Sequence, residues 1–249
     1  MNKRIRLIIL LTLTVVYIFS VLFMETHADP VGATIVNVTT VGASPSPDSR
    51  SDEGGSITTL LVSATQQNFA WKAYVGNISG TLTLDDSNGN TIYDWTIAQG
   101  SISGEIYATR FSSILWADVT CANRTIITTE ETEMNMGAAD VDNINHTFSF
   151  TKHPTYTIAG TVVTNSTCQS LYTYMNQTAQ NDNETSVFSE IIIQNTQDRL
   201  IYVGNLESDV SSYGSNISTN VTYDFQIIVA DNDVGGNQTT YYFYAELDS

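Results

Sequence analysis

Short β-prone segments recur about every ten residues along this chain, and they limit what it can fold into. They are rich in Val, Ile, Tyr, Phe and Thr and are separated by Gly and Asn, whereas helix signals are almost absent. About thirteen such segments predict an all-β fold of antiparallel β-sandwich type, either Ig-like or jelly-roll-like.

The segments fall into two runs. A first β block is expected over residues 57–125, and a second over residues 126–249 is expected to pack against it. The predicted strands include residues 57–64, 114–120 and 146–151. The one helical turn is expected over residues 128–138, with Thr128 or Thr129 as its cap.

One segment carries a clear period of two. Every second residue of this segment is apolar (Phe69, Trp71, Ala73 and Val75), which predicts that these four share a buried face and that Lys72 lies on the opposite, exposed face.

Residues 1–28 have the pattern of a signal peptide. Basic residues near the start precede an apolar run from Leu7 to Met24, and Ala28 provides the small residue of a cleavage site. The alternative is a retained N-terminal anchor, because a run of about 18 residues is at the lower limit for spanning a bilayer. Both interpretations place the rest of the chain outside the cell.

Ten Asn-x-Ser/Thr acceptors follow this segment, which is about twice the number expected by chance among the asparagines. Such a tripeptide is usable only on an exposed segment of a secreted chain, so the sequence predicts an N-glycosylated surface. The acceptors are Asn37, Asn77, Asn123, Asn145, Asn165, Asn176, Asn183, Asn216, Asn220 and Asn237.

The net charge excludes several partners. Without residues 1–28 the chain has 6 basic and 25 acidic residues, a net charge of −19 (6 − 25). A surface with so few cations cannot neutralise phosphates, so we expect no nucleic-acid partner. It also cannot dock on anionic lipid, so no membrane contact is expected beyond an N-terminal anchor.

Cys121 and Cys168 are the only cysteines, and outside the cell an even pair is most simply one disulfide. The alternative is two buried free thiols.

No cofactor is expected except a Ca²⁺ ion, and the turn over residues 85–90 is the strongest place for one. Asp86, Asn88 and Asn90 alternate as ligands do in an EF-hand loop, but the glycine and the distal glutamate of such a loop are missing. An ordinary hairpin turn is therefore the favoured interpretation. The metal candidates are Asp85, Asp86, Asn88, Asn90, Asp231 and Asp233.

Aromatic and acidic residues suggest two further sites. Tyr242 and Tyr244, near the end of the chain, are candidates for stacking on a sugar ring, and ordinary packing of tyrosine on a pleated surface is the alternative.

The carboxylates that a secreted hydrolase would use are Glu105, Asp94 and Asp118. No nucleophile motif accompanies them, so we expect a protein that is not an enzyme.

A longer pattern links two of these regions. The pattern begins with five residues that precede an L-D-D turn and a Y-x-W pair, namely Trp71, Tyr74, Gly76, Asn77 and Gly80. The rest of the pattern consists of Leu84, Asp85, Asp86, Tyr93 and Trp95. With residues 223–247, this pattern resembles a group of secreted, β-rich archaeal proteins. The resemblance implies an archaeal extracellular protein and no particular activity.

Together these features predict a structural cell-surface protein, such as a subunit of a surface layer, fibre or adhesive appendage. Its partners would be copies of itself or another surface protein or glycan. A carbohydrate- or ligand-binding module is the alternative, and a secreted hydrolase is a weaker third hypothesis.

The N-terminal strand bears on assembly. Residues 29–40 form a lone β-prone segment, separated from the rest by the Ser/Pro/Gly-rich residues 41–56. The segment either pairs within its own chain, pairs with a neighbouring copy, or forms a stalk.

Overall fold

The structure is a computed structural model that describes residues 29–42, 49–55, 57–60, 62, 65–97, 101–216, 218–232 and 238–248. The predicted signal peptide or anchor, residues 1–28, lies outside the described residues. No helix in the described part of the chain is both long enough and apolar enough to cross a membrane.

The described residues form fifteen strands and two helices. The strands are β1 (Val31–Gly32), β2 (Trp71–Gly76), β3 (Thr81–Asp85), β4 (Thr91–Thr96), β5 (Gly104–Thr109), β6 (Thr120–Cys121), β7 (Tyr156–Ile158), β8 (Thr161–Val163), β9 (Ser170–Tyr172), β10 (Ser189–Gln194), β11 (Leu200–Asn205), β12 (Val210–Ser211), β13 (Thr222–Tyr223), β14 (Phe225–Ala230) and β15 (Tyr242–Leu247). The helices are α1 (Arg124–Glu133) and α2 (Ile144–Thr147).

A seven-stranded antiparallel sheet organises the molecule. Its order is β1-β15-β5-β11-β10-β6, and β9 pairs with the other end of β10. Strand β5, from the first predicted block, lies between β15 and β11, from the second. The two sequence blocks therefore share one sheet, and the predicted all-β antiparallel class is confirmed.

A second layer covers one face of this sheet. Strands β2 and β14 pair as an antiparallel ribbon, and β14 packs against β11. The helices α1 and α2 complete this layer and contribute to the same core. The largest buried side chains between the layers include Ile127, Ile144, Phe148, Ile192, Tyr202 and Ile227. Face-to-face packing of this kind is the arrangement of a β-sandwich.

The opposite face of the sheet has its own apolar cluster. The β7–β8 hairpin packs there against β5, and residues 110–119 supply Trp116 and Val119. The cluster also contains Tyr107, Tyr156, Ile158, Ile191, Ile201 and Val203. Because both faces are covered, β5, β10 and β11 are almost wholly buried.

The predicted buried face of β2 is wrong. Phe69 is 61% exposed, Ala73 is exposed, and Trp71 and Val75 are half-buried. The register with β14 sets Lys72 opposite the buried Val229 and Tyr74 opposite the buried Ile227. Directly paired residues share a face, so Lys72 and Tyr74 point inward.

Lys72 tolerates this position because it is paired. Its ammonium lies 3.0 Å from a carboxylate oxygen of Asp231 and donates a hydrogen bond to the carbonyl of Thr239. A buried charge is tolerated when it is paired and hydrogen-bonded, and hydrophobic periodicity alone carries no signal for such a pair.

The predicted helix is confirmed in place but not in its bounds. Helix α1 begins at Arg124, and its cap is Asn123, whose side chain accepts a hydrogen bond from the amide of Ile126. Asparagine is a preferred N-cap residue, so the helix begins after Asn123 and not at Thr128 or Thr129, the caps expected from the sequence. Asn123 thus combines a capping role with a glycosylation tripeptide.

Three predicted strands differ in the structure. Helix α2 occupies the start of the expected strand over 146–151, and strand β6 retains only the end of the one expected over 114–120. The described part of residues 57–64 contains no strand. In residues 110–119, burial of Trp116 and Val119 against the sheet replaces strand pairing, because tertiary packing overrides local β propensity.

We expect Trp71→Ala to lower the free energy of unfolding by about 2–3 kcal/mol, less than the full cost of removing a buried tryptophan. The half-buried ring lies 6.2 Å from that of Phe148, and its N–H donates to the carbonyl of Asp142 at 2.7 Å. Urea denaturation measures the change. Phe69→Ala is the control and should stay within about 0.5 kcal/mol, since its ring is exposed. Equal losses in the two variants would contradict this placement.

Candidate interaction surface

The β3–β4 hairpin presents an exposed apolar face. The register pairs Leu82 with Trp95 and Leu84 with Tyr93, so these four side chains lie on one side. We call this set the apolar hairpin face. Tyr93 is 60% exposed and Trp95 is 51% exposed, and their rings meet edge to face at 4.9 Å. Large apolar patches on a soluble surface mark interaction sites.

The tip of this hairpin is an ordinary turn, as the favoured interpretation expects. One carboxylate oxygen of Asp86 accepts hydrogen bonds from the amides of Asn88 and Asn90, and the other accepts from the Asn90 side chain. The bond from the Asn90 side chain is the main reason that the pKa of Asp86 is lowered. Gly89 has a φ of +79°, which suits a turn.

The other calcium candidates lie in different surroundings. Asp85 accepts a hydrogen bond from Thr83, and Asp231 forms the ion pair with Lys72. Asp233 falls outside the described residues. Among the residues that the structure describes, no three His, Cys, Asp or Glu side chains are grouped so as to hold a metal ion. Calcium binding stays a prediction.

The base of the hairpin is fixed at one end of β15. Ile78 and Ile97 flank the hairpin and pack against the same buried cluster as Leu247, the last residue of that strand. A Cβ at Gly80 would overlap the end of the Leu247 side chain, so that side chain would have to shift to admit any larger residue there. Asp224 also secures the connection by accepting a hydrogen bond from the amide of Ile78.

The N-terminal segment leaves from the opposite end of β15. Val31 pairs with Ala245 and Gly32 with Tyr244, and the amide of Ala33 donates to the carbonyl of Phe243. Residues 33–42, which we call the arm, then continue without further strand pairing, and all of them are exposed. The predicted N-terminal strand thus pairs within its own chain only over its first residues.

The two candidate tyrosines differ in environment. Tyr244 donates its hydroxyl to the carbonyl of Phe111 and packs edge to face against Trp116 at 5.3 Å. Tyr242 is 42% exposed. Tyr244 therefore follows the packing interpretation, whereas Tyr242 keeps an accessible ring.

The predicted glycosylation sites are accessible wherever the structure describes them. The exposed asparagines are Asn37, Asn77, Asn123, Asn176, Asn183, Asn216 and Asn220. Asn145 and Asn165 are half-buried, and Asn237 lies outside the described residues. The sequence contains no acceptor between Asn77 and Asn123, so the apolar hairpin face lies on a stretch that carries none.

The predicted disulfide is confirmed. Cys121 and Cys168 are bonded, with their Cα atoms 5.0 Å apart. Strand β6 carries Cys121 at the edge of the sheet, beside Ile193 of β10. His153 holds the partner segment, because its Nε2 accepts hydrogen bonds from the amides of Thr167 and Cys168. Burial lowers the pKa of His153, which favours the neutral ring that can accept these bonds.

The three hydrolase candidates lie in different places. Asp94 is on the exposed hairpin, and Asp118 is on an exposed turn. Glu105 is buried beneath the β7–β8 hairpin, where one carboxylate oxygen accepts a hydrogen bond from the amide of Thr157. Of these three carboxylates, only Glu105 is buried.

Glu105 belongs to a buried cluster of acidic side chains. The sequence did not predict which residues share this cluster with it. Glu105 pairs directly with Glu246 across β5 and β15, and Glu246 accepts hydrogen bonds from Tyr107 and from the amide of Ala159. Burial raises the pKa of Glu105 to about 8, and the charges of Asp248 and Glu246 add to the rise. Only the register of these two strands, which are far apart in the sequence, brings the carboxyl groups together.

Comparisons with protein-family models, curated proteins and solved structures gave no match.

Proposed function

We propose that this protein is a secreted, N-glycosylated structural subunit of the cell surface, belonging to a surface layer, a fibre or an adhesive appendage. The observation that carries the proposal is the apolar hairpin face, whose aromatic rings are solvent-exposed in a stretch without glycosylation acceptors. Exposed aromatic and aliphatic side chains are suited to burial in a protein interface.

Three further features support this role. The described acceptor asparagines are exposed or half-buried, as glycosylation requires. The disulfide closes a long loop and strengthens a protein that works outside the cell. The strongly acidic composition keeps individual subunits soluble until they meet a specific partner.

One observation favours a carbohydrate-binding module as the second candidate. Tyr93 and Trp95 are adjacent, exposed aromatic side chains on a rigid hairpin, and such rings also stack on sugars. In this case the glycan of another cell, rather than a second copy of the chain, would cover the apolar hairpin face.

Assembly of the secreted protein tests the proposal. We expect wild-type protein at increasing concentration to form polymers by light scattering and by negative-stain electron microscopy, and to give no signal on a glycan array. A protein that stays monomeric throughout and binds a defined glycan would instead establish the binding-module hypothesis. Signal on both assays would identify an adhesive polymer, which is a form of the proposed function.

A further inference from the structure

We infer that the arm of one copy (residues 33–42) adds as a β-strand to the outer edge of β4 in a second copy, and that repetition of this contact builds a head-to-tail fibre. The inference rests on the proposed structural function and specifies its contact. It names the donor strand, the accepting edge and the polarity of the assembly.

The arm is rich in β-branched residues, as a strand would be, and its apolar side chains are exposed. Val36 is 92% exposed and Val38 is 69% exposed, and Ile35 and Val41 are also exposed. Alternation along an extended chain places Val36 and Val38 on one face and Ile35, Asn37 and Val41 on the other. A β-branched segment with unpaired backbone groups is a template for pairing with another chain.

Strand β4 offers the matching edge. All six of its residues are exposed, and within the described chain it pairs only with β3. Its Tyr93 and Trp95 side chains form half of the apolar hairpin face. An added strand would pair with the free backbone of β4 and would place valines beside these rings, as in strand addition to an open sheet edge.

The positions of donor and acceptor determine the polarity. The arm passes the first residues of β15, since the amide of Ala33 donates a hydrogen bond to the carbonyl of Phe243, whereas Gly80 at the hairpin base lies against Leu247 at the other end. Phe243 and Leu247 are four residues apart on β15, a separation of about 13 Å, and the arm leaves β15 in the direction away from its own hairpin. A donor at one end and an acceptor at the other give a heterologous contact that repeats into an open filament.

Glycosylation is compatible with this contact. Asn37 lies between Val36 and Val38 in sequence, so in a strand its side chain points to the opposite face. A glycan on Asn37 would then project away from the valines that meet the hairpin. The hairpin itself carries no acceptor. The face that must be buried is therefore free of predicted glycans on both partners.

Matched variants of the full-length secreted protein test the donor face. In V36D/V38D both aspartates lie on the face toward the hairpin, whereas the control I35D/V41D adds the same charge on the opposite face. We expect V36D/V38D to require at least a tenfold higher concentration to polymerise, corresponding to about 1.4 kcal/mol or more per contact. The control should polymerise at a concentration close to that of the wild type.

A mixing experiment tests the acceptor and the polarity. Y93D/W95D damages the apolar hairpin face, and T83D/T96D carries the same charge on the opposite face of the hairpin as its control. Mixing V36D/V38D with Y93D/W95D leaves one intact acceptor and one intact donor. We expect a one-to-one heterodimer by light scattering and no polymer. Together with open polymers of the wild type, this result identifies a head-to-tail contact.

The outcomes separate this inference from the proposed function. Wild-type polymers that persist unchanged in V36D/V38D would overturn the strand addition and leave the structural function standing. A wild type that never assembles would overturn both. All substituted residues are exposed, so each variant should keep the disulfide and the wild-type unfolding midpoint. An equal loss of assembly in I35D/V41D would also contradict the assigned face.

Discussion

Replacing Cys121 and Cys168 by alanine is expected to lower the free energy of unfolding by about 4 kcal/mol. The bond joins positions 47 residues apart, and in the chain-entropy model a closed loop of that length removes about this much conformational freedom from the unfolded chain. Urea denaturation of the double-alanine variant and the wild type, under non-reducing conditions, measures the difference.

The loss should also be local. The closed loop contains α1, α2, β7 and β8, and the segment that ends it is held by the bonds from Thr167 and Cys168 to His153. We expect amide exchange at these two residues to accelerate more than exchange in the buried strand β11. Wild type reduced and alkylated is the control, because it loses the same bond without a change of sequence. A change in unfolding free energy below about 1 kcal/mol in both samples would contradict the prediction.

Features that depend on local chemistry were predictable from the sequence. The strand-rich class, the single disulfide and the Asp86 turn each follow from composition, cysteine count or turn residues, and the structure confirms them. The inward face of β2 was not predictable in this way. Pairing with β14, a strand more than 140 residues further along the chain, determines which face of β2 points inward. The ion pair with Asp231 stabilises Lys72 on that face.

The candidate interaction surface also combines features that the sequence predicts with features that only the three-dimensional arrangement determines. Tyr93 and Trp95 belong to a pattern visible in the sequence, but an alternating apolar strand predicts burial. The two side chains are exposed because no other described strand pairs with or covers the β3–β4 hairpin. Val31 and Gly32, directly before the arm, pair with β15, in line with the alternative that the N-terminal segment pairs within its own chain. That the arm and the hairpin lie at opposite ends of one strand follows only from the three-dimensional arrangement.

Substituting Glu105 by glutamine is expected to stabilise the protein increasingly as the pH rises. Glu105 is only 6% exposed, and burial raises its pKa in the folded chain to about 8, from 4.5 for an unperturbed glutamate. A raised pKa means that the folded state retains a proton that the unfolded state releases. The contribution of Glu105 to stability is therefore complete below about pH 4.5 and is lost as the pH rises to about 8.

The size of the effect follows from the same pKa. Each pH unit within this range is worth about 1.4 kcal/mol, so between pH 5 and pH 7.5 the variant should gain about 3 kcal/mol relative to the wild type. The side-chain oxygen of the glutamine can still accept the hydrogen bond from the amide of Thr157. Its N–H groups lie beside Asn205, which pairs with position 105 across the sheet and whose Oδ1 has no donor among the described residues. Urea denaturation at a series of pH values gives this difference directly.

Asp94→Asn is the matched control for Glu105→Gln. It removes one negative charge from an exposed position on β4, and so it measures how much is gained merely by reducing the repulsion within a strongly acidic chain. We expect its stability relative to the wild type to change by less than about 0.5 kcal/mol over the same pH range. If Glu105→Gln and Asp94→Asn gave parallel curves, the buried carboxyl group would not be the origin of the pH dependence. A stability difference for Glu105→Gln that does not grow with pH would show that Glu105 is already ionised in the folded protein.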